Sequence, residues 1–106
     1  MKKQRSNVKF NYLYRDAANY KVWGSIIFSN PENISIAEVE ATMKKNLIDG
    51  DCFDPKEWNI PALSFADYDS FLDHDWNEYY SLEKTSEKET DKKTVSEFLK
   101  GLKVSH

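Results

Sequence analysis

A strict period of two, occurring twice near the start of the chain, constrains the fold more than any other feature. Val8, Phe10, Tyr12 and Tyr14 alternate with Lys9, Asn11 and Arg15 over residues 8–15, and Val22, Ile26 and Phe28 repeat the pattern over residues 22–29. Successive side chains of a strand point to opposite faces, so each run predicts a strand with one apolar and one polar side. The short polar stretch between them predicts that the two strands pair as an antiparallel β-hairpin. A hairpin alone is marginal in water, so its apolar face needs a cover. Gly24, inside the second run, predicts either a bulge or an aromatic ring from a neighbour lying across the backbone.

The cover is legible next. Ser35-Ile-Ala-Glu38 is a capping box, with Ile34 and Val39 placed as a hydrophobic staple, and it predicts a helix from residue 36. Ile36, Val39, Met43 and Leu47 recur at helical spacing, and Gly50 offers a left-handed end. Asp54-Pro55 signals a second helix start, but Asn59 and Pro61 limit it to about one turn, a structured loop. Ala62 to Ala66 predicts a short strand, and the alternation from Trp76 to Glu83 predicts an exposed or edge strand. Residues 83–93 hold no apolar side chain and read as a solvated linker. Thr94-Val-Ser-Glu97 is a second capping box, and Val95, Phe98, Leu99 and Leu102 make a short amphipathic helix, able to dock or to await a partner. The expected architecture is α+β: one domain over 1–82, a polar linker over 83–93, and a C-terminal helix over 94–106.

Parts of this pattern are familiar. The run Phe10-Asn-Tyr-Leu-Tyr-Arg-Asp-Ala-Ala-Asn-Tyr-Lys21, with Gly24, Phe28-Ser-Asn-Pro31 and Leu47-Ile-Asp-Gly50, resembles a group of small uncharacterised bacterial proteins over roughly residues 8–66. The resemblance implies a bacterial, cytoplasmic protein and brings no activity, cofactor or partner with it. Other features point the same way. No apolar run is long enough to cross a membrane, Met-Lys-Lys-Gln-Arg leads into Ser-Asn-Val-Lys rather than an apolar signal core, and the single Cys52 cannot form an internal disulfide.

Charge is strongly segregated. Residues 49–78 carry nine acids against Lys56, a net −8, whereas the rest of the chain carries 14 bases against nine acids, a net +5. The densest part, 67–78, packs Asp67, Asp69, Asp73, Asp75 and Glu78 with His74 and no base. Numbered as a twelve-residue calcium loop, those five acids fall at positions one, three, seven, nine and twelve, which makes them the candidate Ca²⁺ or Mg²⁺ ligands. Against this, position five is Phe71, without a side-chain oxygen, and position six is Leu72 where the turn needs glycine. A hydrolytic metal centre would need two or three of Asp67, Asp69, Asp73, His74 and Asp75 to converge on one ion with a position left open for water. On a strand, however, His74 points away from its neighbours Asp73 and Asp75.

The favoured reading is therefore a non-enzymatic interaction or accessory module without a cofactor. Its acidic surface, Asp67, Asp69, Asp73 and Asp75 with Trp76 and Trp58 as anchoring aromatics, meets a basic protein or a second copy of the chain. The divalent-metal hydrolase is the first alternative. The second is single-stranded nucleic-acid binding through Arg15, Tyr20, Lys21 and Trp23, disfavoured because core packing explains the neighbouring rings Tyr12 and Tyr14. Cys52 lacks a histidine at any motif-like spacing, and His106 has no assigned role.

Overall fold

The computed structural model describes residues 6–15, 18–48, 50–63 and 76–102. Among these residues, four strands and two helices follow one another as β1 (Asn7–Arg15), β2 (Lys21–Phe28), α1 (Ile36–Lys44), β3 (Cys52–Phe53), β4 (Asn77–Thr85) and α2 (Val95–Lys100). The strands form one antiparallel sheet in the order β2-β1-β4-β3, so the architecture is α+β with an N-terminal hairpin. No helix among the described residues is long and apolar enough to cross a membrane.

The period of two places the core. Val8, Phe10, Tyr12 and Tyr14 are all buried, and they stand opposite Phe28, Ile26, Gly24 and Val22 on the same face. Phe10 is the hub: its ring lies within 6.4 Å, centroid to centroid, of Tyr12, Phe53, Trp58, Tyr79 and Phe98. Helix α1 adds Val39 and Met43 to this cluster. Its start follows the sequence, with the Ser35 hydroxyl accepting from Glu38 N–H at 3.2 Å. Its end does not. The helix stops at Lys44, where Asn46 donates from its backbone to the Met43 carbonyl and from its side chain to that of Thr42, which satisfies two terminal acceptors. Gly50, at φ 82°, instead turns the chain between the bridged residues Ile48 and Cys52.

Three further expectations change. The extra strand is not at Ala62–Leu63, which are irregular, but at Cys52–Phe53; residues 64–66 lie outside the described part. Strand β4 is interior at its start, flanked by β1 and β3, and a bulge between the Asn11–Ser81 and Tyr12–Tyr79 pairs interrupts its alternation. One inserted residue moves every side chain beyond it to the opposite face, so Tyr79 and Leu82 both pack against the core while Tyr80 turns outward. Gly24 sits in regular register without a bulge, and an aliphatic side chain fills the space above it: a Cβ there would meet Leu63 Cδ2 at 2.9 Å.

The largest correction concerns the C-terminal part. The stretch read as a linker begins inside β4, and it then lines the free edge of β2. Thr90 N–H donates to the Ile27 carbonyl at 2.9 Å, Ile27 N–H donates to Thr90 Oγ1 at 2.9 Å, and Val95 N–H donates to the Ser29 carbonyl at 2.8 Å. Helix α2 carries the full capping box at Thr94 and Glu97, and it inserts Val95 and Phe98 into the core, with the Phe98 ring stacked on Phe28 at 4.5 Å. Backbone bonding, which composition does not reveal, holds this polar stretch in place.

Candidate functional site: the outer sheet face and the base of the acidic loop

The sheet face away from the core carries the odd-numbered residues of β1 and β2. Two rings lie exposed there, Trp23 at 55% and Tyr80 at 63%, meeting edge to face at 5.0 Å across β1. Lys9, Asn11 and Ser25 flank them in a shallow depression. Tyr80 reaches this face because of the bulge, which is why the sequence did not single it out; the signal was the Tyr79-Tyr80 pair, of which only one ring can face the core. Tyr20 and Trp76 are the other large rings left exposed among the described residues. Exposed clusters of this kind mark contact surfaces more often than isolated rings do.

At the hairpin end of this face, Arg15 grips Glu78 bidentately, Nε to Oε2 at 2.8 Å and a terminal nitrogen to Oε1 at 3.3 Å, and it also donates to the Asn19 side chain. This pairing holds the guanidinium pKa above its ordinary value. Glu78, the fifth acid of the calcium-loop numbering, is thereby committed to Arg15. Asp67, Asp69, Asp73, His74 and Asp75 lie outside the described residues, as does His106. Of the nucleic-acid candidates, Tyr20, Lys21 and Trp23 are exposed, whereas Arg15 is engaged.

The two ends of the acidic segment are well defined. Asn77, 1% exposed, accepts from Leu63 N–H at 3.0 Å and donates to the Leu63 carbonyl at 3.3 Å, so one amide closes the base of residues 64–76 much as a backbone pair would. Just before Leu63, the Pro61 carbonyl accepts from the Tyr12 hydroxyl at 2.7 Å. Burial pushes the Tyr12 phenol up to about 12. Tyr79 is raised as well, first by burial and then by its 2.5 Å hydrogen bond to Glu40. Nothing in the sequence singles out Asn77, because a buried amide with both its donor and its acceptor used is visible only once its partners are known.

Trp58 is not an anchor. It is 1% exposed and stacked on Phe53 at 4.5 Å, and it borders a groove of about 490 Å³ against α2, beside Lys56, Glu57 and Lys93. Its buried Nε1–H has no acceptor among the described residues, and leaving such a donor unpaired costs roughly 1–3 kcal/mol. Cys52 is half-buried in β3, opposite Glu78. Compared with known proteins, the chain matches no family model, no curated protein and no solved structure.

Proposed function

We propose that this chain is a non-enzymatic interaction module of the bacterial cytoplasm that engages a basic protein partner through its acidic loop. The observation that carries the reading is the Asn77 clamp. The pairing of Asn77 with Leu63 brings the two flanks of the carboxylate-rich segment together, which supports reading that segment as one local source of charge rather than as part of an open tail. Trp76, exposed and next in the chain to that segment, supplies apolar contact. Charge on this scale favours fast, salt-sensitive association.

The test uses a fluorescein-labelled decalysine peptide as the probe, followed by anisotropy at low and high salt. The expected result is binding that weakens with salt and is lost in the Asp67→Asn, Asp69→Asn, Asp73→Asn, Asp75→Asn variant. Equal binding by that variant would overturn the proposal. A second reading, nucleic-acid stacking, is favoured by the exposure of Tyr20 and Trp23 beside Lys21. It predicts that labelled oligothymidine binds and that Trp23→Ala abolishes the binding.

A further inference from the structure

Among the described residues, only the later part of the outer edge of β2 has a partner, through Ile27 and the adjoining Ser29. Ile27 sends its N–H and C=O outward to Thr90, so the residues at even spacing before it, Ser25, Trp23 and Lys21, direct their backbone groups the same way. Among the described residues, nothing pairs with the outward groups of Trp23 and Ser25. Open edges are templates for another strand, and natural sheets usually blunt them with charge, proline or a bulge. This stretch has no proline or bulge, Lys21 is its only charge, and the exposed Trp23 sits at its centre.

We infer that this edge pairs with the same edge of a second copy of the chain, about a two-fold axis beside Trp23. The window favours one register: only a pairing centred on Trp23 uses all three outward residues, Lys21, Trp23 and Ser25, of both copies, whereas centres on Val22 or Gly24 use two. A pairing centred on Lys21 would need Asn19 in the strand, but Asn19 is left-handed at φ 70°. One centred on Ser25 would need the backbone of Ile27, which Thr90 already holds. Centred on Trp23, the pairing sets Trp23 opposite the partner's Trp23 and Lys21 opposite the partner's Ser25, and no like charges meet. The Tyr80–Trp23 pair of each copy then continues across the axis as one run of four rings, and two four-stranded sheets become one of eight. This inference goes beyond the acidic-loop reading and stands without it, since Ser25 and Trp23 lie outside that loop.

The experiment is sedimentation equilibrium on the whole chain, up to about 0.5 mM, with Ser25→Glu, Ser25→Lys and the double variant Lys21→Glu with Ser25→Lys. Ser25 is exposed, and circular dichroism and thermal melting of each variant confirm that it stays folded. The expected result is a reversible dimer in which Ser25→Glu dissociates roughly tenfold less, and Ser25→Lys correspondingly more, because each change acts twice across the axis. The charge-swapped double variant restores the dimer. A strict monomer over the whole range would overturn the inference, as would a dimer indifferent to all three variants.

Discussion

The two faces of the sheet use the same kind of side chain to opposite ends. On the core face, Phe10, Tyr12, Phe28, Phe53, Trp58 and Phe98 pack ring against ring and are almost wholly buried. On the outer face, Trp23 and Tyr80 meet each other edge to face and stay more than half exposed. The difference teaches that aromatic content does not report the size of the core. What decides a ring's role is whether another element lies over it, and here α1, α2 and the 54–60 loop all lie on one side.

That contrast can be broken at three places. Removing a ring from the core face should cost most. Phe98→Ala should destabilise the fold by about 3–5 kcal/mol in chemical denaturation, because it opens a cavity bordered by Phe10, Phe28 and Trp58. A loss below about 1 kcal/mol would mean that α2 is only loosely attached.

Tyr12 gives the next effect, through pH. An unfolded tyrosine ionises near 10, whereas buried Tyr12 holds its proton to about 12. Between those values the unfolded state has already released a proton that the folded state keeps. Stability is therefore whole below pH 10 and falls as pH rises toward 12, by about 2 kcal/mol for this group. Tyr79 is raised for similar reasons and acts in the same direction. Denaturant melts at pH 9 and pH 11.5 should show the fall, and Tyr12→Phe should reduce it.

The smallest effect belongs to the outer face. Trp23→Ala in the monomer should cost under about 1 kcal/mol, the worth of one aromatic pair and some half-buried strand surface. Equilibrium melts at low protein concentration would measure it. A cost near that of Phe98→Ala would show that the face is already covered within one chain.

Much of the fold was legible in local pattern. The hairpin, the start of α1 and the capping box of α2 depend on side-chain alternation and on donors and acceptors three residues apart, which are local relations. The bulge at Tyr80 was not legible, because it arises from pairing with β1, nearly seventy residues away in the chain. The place of residues 86–94 was hidden for the same reason: a polar composition conceals how backbone groups bond. Of the candidate site, the concentration of charge was plain in the sequence, whereas Trp58, an anchor by composition, proved to be core.

The sequence by itself determined the two strands of the hairpin, the face of each that turns inward, and the segregation of charge into one stretch of the chain. These follow from periodicity and from counting, which need no partner. Only the tertiary structure decided that Asn77 pairs with Leu63, that Arg15 takes Glu78, that Leu63 sits above Gly24, and that part of the β2 edge has no partner among the described residues. Each of these joins residues far apart in the chain, and a contact of that kind exists only when the whole fold brings both ends together.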